Sequence, residues 1–177
     1  LWAAVLHANP DPVVRLGNSS LATEPMRQRI GELFGSLGLS DRVEIVGPGA
    51  EAPDSRSDRN TFLGAIDVLL DTAPVSDGLV LAEALWSGIP VLTLEGGFGA
   101  RLVRAAGLGD SVAGGPGEMA AIANDLCARL QGREDLRATT RAVTESAPLF
   151  RPAEGAGGLL DLLADVAADA PRPGAGA

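Results

Sequence analysis

The sequence predicts an α/β fold: a Rossmann-like, doubly wound parallel sheet of about five strands with C-terminal helices. Three observations carry this expectation. Short apolar runs at Val13–Leu16, Val43–Val46, Val68–Leu70 and Val91–Leu94 alternate with segments of helical period. These runs do not switch regularly between apolar and polar, as befits strands covered on both faces. From Gly117 onward only helical patterns remain. A chain of 177 residues can enclose one full core, so a single domain over 1–166 is expected, with 167–177 as a flexible Pro/Gly/Ala tail.

The elements follow in order. Trp2 to Ala8 reads as a helix end, closed by Asn9-Pro10. After the first strand, Thr23 caps a helix that carries Glu24 and Pro25 in its first turn. Met26, Ile30, Leu33, Phe34 and Leu37 recur at helical spacing, and Gly38 stops that helix. The second strand leads into a Gly/Pro-rich loop over 47–57 and a short helix capped by Ser57 or Asp58 and running through Phe62 and Leu63. Between the third and fourth strands lies a helix with Leu81, Leu85 and Trp86 on adjacent faces. Phe98 to Ala106 is helical and stops at Gly107, and Ser111–Ala113 is a short fifth strand. Met119, Ile122, Ala123, Leu126 and Leu130 share one helical face; two more helices are expected over Glu134–Ser146 and Leu159–Val166.

Composition narrows the function. The net charge of −9 opposes nucleic acid and a polybasic membrane anchor. All 14 basic residues are arginines, so no lysine ammonium is present for Schiff-base or phosphate chemistry. No apolar run approaches a membrane span, and the opening residues lack the basic start of a signal peptide. The lone Cys127 fits a reducing cytoplasm. His7 and Cys127 read as a helix-end residue and core filler, not as a base and a nucleophile. The chain opens on Leu1, and a longer protein around it is expected.

Ligands of a wound parallel sheet gather beyond the carboxyl ends of its strands. That places the loops after Leu16, Val46, Leu70 and Leu94 on the functional edge. Around the third and fourth strands the wording is specific: Asp67-Val68, Leu70-Asp71-Thr72, Pro74, then Ala84-Leu85-Trp86, Gly88, Pro90-Val91 and Thr93-Leu94. Gly97 and Arg101 follow, and downstream come Leu136-Arg137, Arg141 and Ser146-Ala147-Pro148-Leu149-Phe150. Trp2, Leu6 and Pro10 fit the same pattern upstream. Together these words resemble the peptide O-linked N-acetylglucosamine transferase family over nearly the whole chain.

The resemblance implies the second Rossmann-like domain of a two-domain, GT-B, metal-independent glycosyltransferase. Its donor would be UDP-N-acetylglucosamine and its acceptor Ser or Thr on proteins. A first catalytic domain and helical repeats would lie upstream, with no nucleic acid, membrane or further cofactor involved.

The family's turn holds the donor pyrophosphate with threonine hydroxyls and helix N-terminal amides, a sound arrangement for an anion. Here those positions read Ser76-Asp77-Gly78-Leu79-Val80-Leu81: hydroxyls have become aliphatic groups, and Asp77 brings a competing carboxylate to the helix cap. Glu83 stands where the family binds the ribose hydroxyls, or is a solvated helix carboxylate. Arg59 stands where a family histidine packs near uracil and could stack on a base. Arg101 and Arg104 share one helical face, able to reach a phosphate or to face water. The candidate donor residues are thus Thr72, Ser76, Gly78, Glu83, Arg59 and Arg101, with no catalytic residue in this segment. Two outcomes stay open: a donor-binding domain inactive by itself, or a non-catalytic relative serving as a scaffold. An unrelated nucleotide domain that shares only the parallel sheet is a third.

Overall fold

The computed structural model describes residues 1–17, 21, 23–46, 56–153 and 157, the side chains of 56–58 excepted. Seven helices and five strands alternate among these residues: α1 Trp2–Ala8, β1 Val14–Gly17, α2 Glu24–Ser36, β2 Val43–Val46, α3 Arg56–Gly64, β3 Leu69–Leu70, α4 Gly78–Trp86, β4 Val91–Leu94, α5 Phe98–Ala105, β5 Val112–Ala113, α6 Pro116–Gln131 and α7 Leu136–Ser146. The expected helix at Leu159–Val166, the tail and most of the 47–57 loop lie outside the described residues.

Every strand pair is parallel. β4 lies between β3 and β5, and β1 pairs with β2. The one continuous sheet foreseen from the sequence is therefore two ladders, with a cleft of about 750 Å³ lined by β1, β3, α1 and α6. β3 is only two residues long and offers little edge to pair.

The winding follows from side-chain direction. Adjacent residues of a strand point to opposite faces. Val91 joins a core with Leu81, Leu85, Ile89 and Val103, supplied by α4 and α5. Leu92 joins the opposite core with Val5, Met119, Ala123 and Leu126, supplied by α1 and α6. Leu85, Ile89, Leu92 and Met119 are fully enclosed, each contributing about 2 kcal/mol through burial. A third cluster of Leu6, Phe34 and Leu39 seats α2 beside β1 and β2.

Two local readings differ from the sequence. Leu33 and Leu37 stay 58% and 42% exposed, because α2 sits at the periphery and buries only the stripe through Phe34. Ser57 and Asp58 stand inside the first turn of α3, not ahead of it. Thr23 occupies the N-cap position of α2 without a side-chain cap bond. Gly38 and Gly107, with φ of 71° and 81°, follow α2 and α5 where a left-handed residue was anticipated.

Candidate functional site

Directly after β3 comes Asp71, a carboxylate-bearing residue that is 5% exposed. Burial of an ionisable group requires partners, and Asp71 has them. Its Oδ1 accepts from the Thr72 amide at 2.8 Å, and its Oδ2 accepts from the hydroxyls of Ser76 and Thr93, each at 2.7 Å. The Ser76 hydroxyl accepts in turn from the Gly99 amide at 3.3 Å. Gly99 has to be glycine: a Cβ there would overlap Asp71 Oδ2 and crowd Thr93 and Ser76. The Trp2 indole donates to the Asp71 backbone carbonyl at 3.4 Å.

The turn that follows is closed by its own groups. The Ala73–Pro74 bond is cis, and the Thr72 hydroxyl donates to the Val75 carbonyl at 2.5 Å. Asp77 is the N-cap of α4, its carboxylate accepting from the amides of Leu79 at 3.0 Å and Val80 at 3.2 Å. The positive end of this helix thus already holds an anion. Leu79, in the first turn of this helix, is 59% exposed. Gly78 lies against the Phe98 ring, and a Cβ there would strike it.

Five residues further on, Glu83 meets Arg59 from α3. The guanidinium grips the carboxylate in a two-pronged fork, Nε to Oε2 at 2.7 Å and Nη2 to Oε1 at 3.2 Å. Both side chains are less than one-fifth exposed. The Glu83 hydrogen bond, reinforced by the charges of Glu83 and Asp77, holds the Arg59 proton more firmly than usual.

A pocket of about 310 Å³ opens at this edge between the β3–α4 turn and the β4–α5 loop, lined by Asp71, Thr72, Ser76, Thr93, Glu95 and Gly96 among others. The sequence candidates therefore separate. Thr72 and Ser76 share the pocket, Arg59 and Glu83 form a unit on the α3 side of α4, and Gly78 serves the contact with Phe98. Arg101 is exposed on α5 with its guanidinium 6.0 Å from the Phe98 ring centre. Arg104 pairs with Glu95 on the pocket rim, and this pairing lowers the Glu95 carboxyl below its ordinary range. His7 is exposed at the end of α1. Cys127 lines the larger cleft, where burial and the charges of Asp11 and Asp67 push its thiol up and away from thiolate chemistry. Sequence reasoning missed Asp71, Thr93 and Gly99 as a connected set. The available signal was a carboxylate placed directly after a buried strand, where water cannot solvate it.

No family model matches the chain. It is similar to the SPINDLY protein of Oryza sativa subsp. japonica, named as a probable UDP-N-acetylglucosamine–peptide N-acetylglucosaminyltransferase, with 26% identity over 155 residues. The match covers 84% of this chain and 16% of the rice protein. SPINDLY of Arabidopsis thaliana matches with the same identity and coverage. Among solved structures, a point mutant of the Thermobaculum terrenum O-GlcNAc transferase superposes with a TM-score of 0.68 at 32% identity, over 89% of this chain and 31% of that one. The chain thus spans about one-sixth of the plant relatives' length (16%) and under one-third of the bacterial protein's (31%).

Proposed function

We propose that this chain, which belongs to the peptide O-linked N-acetylglucosamine transferase family, is the donor-binding half of a glycosyltransferase and holds a UDP-sugar chiefly by its nucleoside end. The observation that carries this reading is the Arg59–Glu83 fork. An ionised carboxylate is an acceptor-only group, the chemistry a ribose diol requires. The fork pairs Glu83 with a permanent cation and fixes its rotamer, so little side-chain freedom remains to be lost on binding. The resemblance to the family also puts Glu83 on the ribose side, and it lies on the helix that follows the β3–α4 turn.

UDP-N-acetylglucosamine is the donor this reading favours, with Ser or Thr of a protein as acceptor. The whole protein would bring an upstream Rossmann-like domain, with the acceptor-side base, and helical repeats, and it would work in the cytoplasm. In this reading no metal and no separate cofactor enters, and the fixed dipoles and charges that stabilise the departing diphosphate come mainly from the rest of the protein. The segment alone does not turn over, because positioning across two domains supplies much of such catalysis.

A scaffold reading has one specific observation in its favour: Asp77 occupies the amides that a diphosphate would use. Calorimetry separates the two. UMP and UDP should bind with affinities within about threefold of each other, because the diphosphate finds few donors; a threefold ratio is ~0.7 kcal/mol. Glu83→Ala should abolish uridine binding. Replacing Asp77→Gly, Leu79→Thr and Val80→Thr together should tighten UDP, but not UMP, by about tenfold. Absence of uridine-nucleotide binding in both the parent chain and this triple variant would establish the scaffold reading instead. A preference for ADP over UDP would mark an unrelated nucleotide domain.

A further inference from the structure

We propose that Asp71 is a positioning residue whose carboxylate locks the β3–α4 turn and the β4–α5 loop into one rigid wall of the 310 Å³ pocket. The proposal rests on the donor reading for what the pocket holds, and on geometry alone for how the pocket is built. Three pieces of chain meet at this one side chain. Thr72 and Ser76 belong to the turn, Thr93 to β4, and Gly99 to the first turn of α5 through the Ser76 hydroxyl. Asp71 and Thr93 are 5% and 2% exposed, so water offers the Thr93 hydroxyl no ready substitute partner.

The arrangement assigns roles that the sequence left merged. Ser76, a candidate ligand contact, spends its proton on Asp71 and receives the Gly99 amide, so it acts as a strut. Asp71 Oδ2 carries both hydroxyl bonds and Oδ1 carries the Thr72 amide, so the carboxylate faces its own loops. The strut closes only because Gly99 lacks a Cβ, which brings the α5 backbone against the carboxylate. Pocket shape at the donor edge is thereby tied to a group that need not touch the donor.

Thr93 gives the cleanest test, because valine matches its volume without the hydroxyl. In Thr93→Val, amide hydrogen exchange at Thr72 and Gly99, the two amides held in the network, should accelerate by about tenfold, ~1.4 kcal/mol of local opening. UDP affinity should fall by a similar factor, measured well below the variant's Tm. Thr93→Ser keeps the hydroxyl and should hold both readouts at the parental value, although it removes the methyl that valine keeps and that a packing role would need. Asp71→Asn should fall between the two, since hydroxyl rotors can turn to accept from the amide. A Thr93→Val variant that loses Tm but keeps parental exchange at Thr72 and Gly99 overturns the proposal. If the parent chain binds no uridine nucleotide, the donor reading falls, and the exchange rates alone still decide the role of Asp71.

Discussion

The two ends of α4 lead opposite lives. Its C-terminal end carries the words that most resemble the transferase family, and there they act as structure. The Trp86 ring stacks on Phe150 at 6.0 Å between centroids, and the Arg141 guanidinium lies 5.0 Å from the Trp86 ring on α4. Gly88, with φ of 78°, lets the chain turn back into β4 directly against the Arg137 backbone. Arg137 donates to the carbonyls of Leu63 and Ile66 at 3.1 and 2.6 Å, satisfying the exit from α3. The N-terminal end of α4 opens on the β3–α4 turn, and there the first amides are capped by Asp77 while Leu79 stands exposed. The lesson is that resemblance strong enough to fix a family can reside in a latch that holds layers together. On the other rim Leu79 is exposed and Asp77 caps its own helix, so these two positions are free to diverge without cost to the core.

The comparison can be broken at the latch first. Gly88→Ala must place a methyl into the Arg137 backbone in a left-handed conformation, and should cost about 3 kcal/mol or more in chemical denaturation. A loss under about 1 kcal/mol would show that the latch yields easily. Trp86→Ala should cost about 1–2 kcal/mol, as the stack and the cation–π contact are lost from a ring that is 45% exposed. Its UDP affinity should stay at the parental value, because the ring stands at the far end of α4. At the ligand end, Asp77→Gly alone should cost only a few tenths of a kcal/mol, since glycine is a tolerable N-cap. That variant sharpens the contrast: stability hardly moves while the anion site is vacated.

Acid titration gives the smallest effect. Arg104 lowers the folded-state carboxyl of Glu95 below its ordinary 4.5. A depressed carboxyl contributes stability that is complete above the unfolded value and lost as pH falls through the folded one. Stability should therefore decline slightly below pH 4.5, and Glu95→Gln should flatten that part of the curve in urea titrations at several pH values. An unchanged curve would place the Glu95–Arg104 pair among surface contacts of no consequence.

Much of the architecture was legible because periodicity is local. β4 matches its sequence reading residue for residue, and β1, β3 and β5 shift by about one position. The Asp77 cap was legible for the same reason: an Asx residue before a glycine and an apolar helix reaches only its own neighbours. The exposed Leu33 and Leu37 were not, since helical spacing alone does not reveal how little of α2 the sheet would cover. The split of the strands into a pair and a triple was equally hidden, because pairing depends on how layers meet.

By itself, then, the sequence determined the order of helices and strands, their parallel winding, and the family wording, because each is written in short-range pattern. Tertiary structure decided what the charged and hydroxylated side chains do. Arg59 finds Glu83 across 24 positions, and Thr93 finds Asp71 across 22. A buried or half-buried polar group takes whichever partner packing delivers, since leaving it unpaired costs more than any local preference can return.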